Sequence, residues 1–208
     1  WGGRIPQDST LWKAGQWTNV GTTFTDDTAD AQSAAAGDFP LTTLVNNDGF
    51  IVLCQIPFNI LSLIVSQATT GAPVYEVSYS IAGGTWTVIT LANLLVAPDF
   101  TATGERLLWW EKPGDWAVTE AGHATGISTG YYGLRVRATT APTQAAIATQ
   151  IIPGVMVDTV KSVATNAYIE WDYISHEKHV PAQCDALACA FSVASDQNYV
   201  SGLYRLRG

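Results

Sequence analysis

The sequence predicts an all-β protein, an antiparallel β-sandwich with an irregular N-terminal arm. Three observations carry this reading. Apolar and polar residues alternate with a period of two in strand-length segments, turn formers separate those segments, and no long stretch keeps a helical period. About ten strands are expected on this pattern. With 208 residues the chain is long enough for one large β domain. The organisation read from it is an extended arm over residues 1–40 and a sandwich domain over 41–208, with a sub-boundary near 153 at Pro153-Gly154.

The arm lacks clean periodicity. Trp1, Trp12 and Trp17 stand far apart among Gly, Thr, Gln and Asp. Such an arm has little to bury by itself, so its aromatic residues are expected either to lie on their own domain or to dock on a neighbour, and docking is the preferred reading. The cluster Asp26-Asp27-Thr28-Ala29-Asp30 lacks the spacing and the bidentate Glu of a calcium-binding loop, and reads as a turn or helix cap.

Within the domain, Leu41 to Val45 and Phe50 to Ile56 flank Asn46-Asn47-Asp48-Gly49, which predicts a hairpin because Asn, Asp and Gly tolerate positive φ. Ile60 to Ser66 is an apolar run that reads as a strand buried on both sides or a short helix, and its length and β-branched residues favour the strand. The stretch from Val74 to Arg137 is the best patterned. Tyr75, Val77, Tyr79 and Ile81 alternate with Val74, Glu76, Ser78 and Ser80, which predicts one core face and one wet face. Ala82-Gly83-Gly84 supplies a tight turn, and Thr85 to Leu91 returns as the partner strand. Leu91 to Ala97 reads as a short helical turn stopped before Pro98, and Glu105 to Trp110 as a strand. A Trp-rich loop closing on Pro113-Gly114-Asp115-Trp116 leads to the strand Gly130 to Arg137. There Tyr132, Leu134 and Val136 are expected inward, with Arg135 and Arg137 toward solvent or a partner. Alternation resumes in Ala164 to Ile174 and in Ala186 to Val193, and the chain ends on Gly202-Leu203-Tyr204-Arg205-Leu206-Arg207.

Charged residues make up only 13% of the chain, with a net charge of −8 and ten basic residues that never form a run. Direct binding to nucleic acid is therefore not expected. The longest apolar stretch, Phe50 to Val65, is interrupted by Gln55, Pro57, Asn59 and Ser62, so no membrane span is read. A surface poor in charge suits a protein packed against other subunits. Cys54, Cys184 and Cys189 are read as reduced thiols, with a Cys184 to Cys189 bridge as the alternative.

Two clusters invite chemistry. His176-Glu177-Lys178-His179 with Cys184 and Cys189 holds zinc's preferred ligand types at spacings that match no knuckle or metalloprotease helix, so it reads as an ordinary polar loop. Glu105, Trp109, Trp110, Glu111, Asp115, Trp116 and Glu120 combine indole faces with carboxylates, as sugar recognition and glycoside hydrolysis do. The preferred reading assigns most of them to core and turn. No nucleophile elbow and no phosphate loop occur, and His123 lies in a Gly/Thr-rich loop. Neither enzyme activity nor a cofactor is expected.

Through Tyr75-Glu76-Val77-Ser78-Tyr79, Gly83-Gly84-Thr85-Trp86, Pro113-Gly114-Asp115-Trp116 and Gly130-Tyr131-Tyr132-Gly133-Leu134-Arg135-Val136-Arg137, the chain resembles the β-sandwich modules of tailed-bacteriophage structural proteins, of the capsid decoration (cement) and head or tail fibre type. The resemblance covers residues 74–150. It implies an antiparallel sandwich, with a jelly roll as one form of it, on the outer surface of a virion and often trimeric. The implied partners are the major capsid protein or other virion subunits. A carbohydrate-binding or receptor-binding fibre module that contacts host glycans is the alternative. The residues expected to meet a partner or glycan are Trp1, Trp12, Trp17, Asp115, Trp116, Arg135 and Arg137.

Overall fold

The computed structural model describes residues 2–34, 38–156 and 187–188. Its strands are β1 (Gly2–Arg4), β2 (Trp12–Thr18), β3 (Thr23–Asp26), β4 (Phe39–Pro40), β5 (Gly49–Cys54), β6 (Ile60–Gln67), β7 (Val74–Ile81), β8 (Thr85–Val88), β9 (Leu94–Val96), β10 (Gly104–Trp110), β11 (Tyr132–Thr140), β12 (Ile147–Met156) and β13 (Leu187–Ala188). One short helix, α1 (Thr28–Gln32), lies among them.

The strands form two sheets, and every pairing between named strands is antiparallel. Sheet A runs β13-β1-β12-β6-β10-β9, with β4 also on β12, and sheet B runs β3-β2-β5-β11-β7-β8. The pairings nest. β7 pairs with β8, β6 with β10, β5 with β11 and β4 with β12. From β4 to β12 each connection changes sheet except the β7–β8 and β9–β10 hairpins, and this winding is that of a jelly roll. The position beside β12 opposite β6 is shared: β4 pairs with Ile147 and Ala148, and β1 with Gly154 to Met156.

The main core lies between the sheets. Sheet B contributes Trp12, Ala14, Phe50, Val52, Cys54, Val77, Leu134 and Val136, and sheet A contributes Phe39, Leu61, Leu63, Val65, Leu108, Trp110, Ala148 and Ile151. Alternation on β11 delivers Leu134 and Val136 as read from the sequence, whereas β6, read as an apolar run, alternates in burial with Leu61, Leu63 and Val65 inside. A second, smaller core of Trp17, Phe24, Ile51, Leu53, Ala124 and Ile127 lies on the opposite side of sheet B, with Trp86 and Tyr131 packed against it. Between the two cores, all six residues of β5 are buried. Its run Phe50-Ile51-Val52-Leu53-Cys54 follows from that position, because a strand covered on both faces has no place for an alternating polar residue.

Several expectations are corrected. Residues 1–40 are not an extended arm apart from the sandwich, since they supply β1 and β4 to sheet A and β2 and β3 to sheet B. β2 pairs with β5 along its whole length, so Trp12 is a core side chain. Leu41 to Val45 does not pair with β5, whose neighbours are β2 and β11, although Asn47 does take positive φ (69°) in the turn. Ser78 and Ser80 do not face water but are fully buried. Leu94–Val96 is a strand on β10, preceded by a turn. β12 passes through Pro153 to Met156 without a break. The readings for Ala164 to Ile174, for the zinc-type cluster at His176 to Cys189 and for the last strand lie outside the described residues.

The Asp26 to Asp30 segment does form the start of a helix, α1, with Asp27 at its N-cap. Burial pushes the Asp27 carboxyl up to about 6, and Asp30 and Asp38 push it the same way. Its folded value lies above the unfolded one, so holding it ionised destabilises the fold above pH 6, and the penalty fades as pH falls toward about 4. Asp27→Asn is expected to raise the melting temperature at pH 7.5 and to match the parent near pH 4. Thermal melts at both pH values check this, and a gain that persists at pH 4 rules the account out.

Gly49 sits so close to β11 that a Cβ there would collide with the carbonyl oxygen of Val136, whereas nothing lies within 4 Å of a Cβ built on Gly114. Gly49→Ala is expected to lower stability by about 3 kcal/mol, since strand separation must change, while Gly114→Ala shifts it by less than about 0.5 kcal/mol. Urea denaturation of the pair measures the contrast.

Candidate functional site: the arginine and tryptophan cluster on sheet B

Register on the outer face of sheet B places specific side chains side by side. Glu76, Arg137, Gly49 and Trp17 form one cross-strand row. Val88, Ser78, Arg135, Ile51 and Gly15 form the next. The third contains Trp86 opposite Ser80, and Gly133, Leu53 and Lys13. Glycine makes the large groups fit. A Cβ on Gly15 would meet the Phe24 ring at 2.7 Å, and one on Gly133 would lie 3.0 Å from the Trp86 ring.

Into the space between the rows the Arg135 guanidinium inserts, only 8% exposed. It lies 4.8 Å from the Trp17 ring centroid and 5.1 Å from that of Trp86, two cation–π contacts on one cation. Its Nε donates to Ser78 Oγ at 3.1 Å, and an amino group lies 3.8 Å from Glu76 Oε1. Arg137 grips the same carboxylate with two bonds, of 2.8 and 3.0 Å. Burial pulls the Arg135 pKa down to about 10 and Arg137 adds to that, while Glu76 opposes it, so the group is cationic at neutral pH.

Residues 111–131 form a strap over this face. Trp116 anchors its start, its Nε1 donating to Gly133 O and Ser80 Oγ, both at 3.2 Å. Ala117 N donates to Ser80 O at 3.0 Å and Ser80 Oγ donates to Ala117 O at 2.6 Å. Farther along, Trp86 Nε1 donates to His123 O at 3.2 Å. Thr125 is bonded to Thr22 and Phe24 across the β3 edge, and Lys13 Nζ donates to Ser128 Oγ at 3.1 Å. The strap buries Ala124 and Ile127 on Leu53 and Ile51 and so completes the second core.

The residues singled out in the sequence fall into different places. Trp1 lies outside the described residues. Trp12 and Trp116 belong to the main core, where Trp116 packs on Phe58, Tyr79, Trp110 and Tyr132. Burial removes both from the surface as sugar platforms. Trp17 is buried beneath the strap, with its Nε1 donating to Asn47 O. Arg135 is buried and does not face solvent, because two indoles cover it. Arg137 is half-buried in its pair with Glu76. Asp115 is exposed and accepts the Tyr79 hydroxyl at 2.8 Å; burial and that carboxylate raise the Tyr79 phenol's pKa. The other acids of the Trp-rich segment lie apart from it: Glu105 accepts from Ser62 Oγ at 2.6 Å on sheet A, and Glu120 accepts from Gly83 N at 3.4 Å.

The structure thus gathers Trp17, Arg135 and Arg137, and adds Trp86, Glu76 and His123, which sequence reasoning did not select. A signal for two of them existed: Glu76 and Arg137 are opposite charges at facing positions of paired strands, and Trp86 follows the Gly-Gly turn on the same face as the serines. Among the described residues no group of three or more His, Cys, Asp or Glu is placed to hold a metal, and no helix is long and apolar enough to cross a membrane. Glu76, Arg135, Arg137 and Ser78 are engaged with one another and Trp86 with the strap, which suits a staple holding strap and sheet together. Comparison with models of known protein families, with curated proteins and with solved structures finds no match.

Glu76 serves two cations, whereas Arg135 removal leaves Arg137 still paired. Glu76→Gln is therefore expected to destabilise the protein by about 3 kcal/mol and Arg135→Met by about 1 kcal/mol. Chemical denaturation orders the two, and a larger loss for Arg135→Met contradicts this assignment.

Proposed function

We propose that the protein is a non-enzymatic virion structural component, a capsid decoration or cement protein that stabilises a shell through subunit contacts on its outer surface. One observation carries the reading: the aromatic and charged groups that suggest a site are engaged inside the molecule, while apolar side chains remain on its exterior at one end and one edge of sheet B. Leu44, Val45 and Val74 are exposed where the turn after β4 meets the end of β11, and Val88 and Leu91 are exposed on and just after β8, the last strand of sheet B among the described residues. Apolar groups at an open sheet edge favour contact with another chain. The major capsid protein or another virion subunit is the partner in this reading, and the protein acts as a homo-oligomer.

The test is addition of the purified full chain to shells that lack it. Saturable, stoichiometric binding and a raised shell melting temperature are expected, weakened at least about tenfold by a Val74→Asp, Leu91→Asp double substitution, which introduces charge into an apolar contact. A chain that stays monomeric at high concentration and does not bind such shells refutes the proposal.

A glycan-binding reading is favoured at one position only. Trp109 faces away from the core on sheet A, between the buried Leu108 and Trp110, with Ile60 directly opposite and Glu105 two positions along the same face. If host glycans quench tryptophan fluorescence and Trp109→Ala abolishes the effect, the fibre-type function replaces decoration.

A further inference from the structure

We infer that β8 is the edge through which the protein self-associates: a second copy of this chain adds its own β8 antiparallel across a two-fold axis and joins the two B sheets into one. β8 (Thr85–Val88) is the last strand of sheet B among the described residues. Ile89 N donates to Val77 O at 2.8 Å, and Ser78 stands opposite Val88. In an antiparallel ladder that register gives the β7 bonds to Thr85, Thr87 and Ile89, and it turns the N–H and C=O groups of Trp86 and Val88 away from β7. Those groups have no partner strand among the described residues. Val88 is 48% exposed, and Leu91, just beyond the strand, is 86% exposed.

On the premise that the apolar exterior is contact surface, on which this inference rests, charge selects a second copy of the chain for the β8 part of it. The chain carries −8, so two copies repel over most approaches, yet no Asp, Glu, Lys, Arg or His occurs from Val77 to Pro98. β8 therefore lacks the charges, and also the proline and the bulge, that ordinarily keep an edge from pairing with its own kind. The Glu120 carboxylate, on Gly83 N, lies at the turn before β8 and not along it. The other end of sheet B is defended. β3 runs into Asp26 and Asp27, and the strap caps it, with Phe24 N donating to Thr125 O and Thr125 N to Thr22 O, both at 2.9 Å.

The outward groups of β8 are self-complementary. With the axis through Thr87, Trp86 of each copy pairs with Val88 of the other and both exchange N–H and C=O bonds, while the two Thr87 side chains meet as a cross-strand pair. Such a contact is closed, so it stops at the dimer. The Leu44, Val45 and Val74 end stays open on each copy and is left for the shell, which the dimer then meets at two sites with the gain of avidity.

Sedimentation velocity of the full chain from about 1 µM to about 1 mM, the range in which small interfaces associate, tests this. Reversible dimer formation is expected. Val88→Pro removes an outward N–H while sparing the β7 ladder, and is expected to raise the dimer dissociation constant at least about tenfold with an unchanged melting temperature. Thr87→Cys is expected to cross-link into dimers on mild oxidation at least about tenfold more than Thr85→Cys or the parent, because only the residue at the axis faces its own counterpart. A parent that stays monomeric throughout, an unchanged dissociation constant in Val88→Pro, or equal cross-linking through Thr85→Cys overturns the inference. Should Val88→Pro not fold, the two cysteine variants decide. A chain that binds shells but sediments as a monomer sinks the β8 pairing alone, and one that dimerises through β8 but binds no shell sinks only the decoration reading.

Discussion

The constraint on which the structure depends is that β5 has no wet face. Phe50, Val52 and Cys54 point between the sheets, and Ile51 and Leu53 point the other way, so the outer side of sheet B must also be covered. A sandwich ordinarily leaves that side to solvent and to polar side chains. Here the long β10–β11 connection folds back as a strap, and the residues around β5 are arranged to receive it. Gly15 and Gly133 leave the space that the Phe24 and Trp86 rings occupy, and the close approach of the Thr25 and Val136 backbone forbids a side chain at Gly15 and Gly49.

Arg135 follows from the same constraint. A cation on that face cannot keep its water once the strap is down, so it requires ring faces, a hydroxyl and a share of a carboxylate in place of solvent. Trp17, Trp86, Ser78 and Glu76 supply them, and Arg137 neutralises the remainder of the Glu76 charge. The arrangement links four strands and the strap through a few side chains.

The N-terminal forty residues show how local weakness of pattern arises. Trp12-Lys13-Ala14-Gly15-Gln16-Trp17 carries little alternation because its inner side meets the core through Trp12 and Ala14 while its outer side carries Lys13, Gly15 and Trp17 under the strap. Two covered faces with different partners erase the apolar-polar period. The strands of sheet A behave otherwise. β6 keeps Leu61, Leu63 and Val65 inside and Ile60, Ser62, Ile64 and Ser66 on the other face, so its burial alternates even where Ile60 and Ile64 make the sequence look like a continuous apolar run.

By itself the sequence determined the β class, the positions of β6, β7, β8, β10 and β11, the Gly83-Gly84 turn and the inward set Tyr132, Leu134 and Val136. These depend on local alternation and turn chemistry, which neighbouring residues carry. Only the tertiary structure decided the nested jelly-roll pairing, the entry of residues 1–40 into both sheets, the burial of Ser78, Ser80 and Arg135, and the meeting of Trp17 with Trp86. Each of those is a relation between segments far apart in the chain. The physical reason is that a side chain's face is set by its strand, but whether that face is wet depends on what a distant loop brings over it.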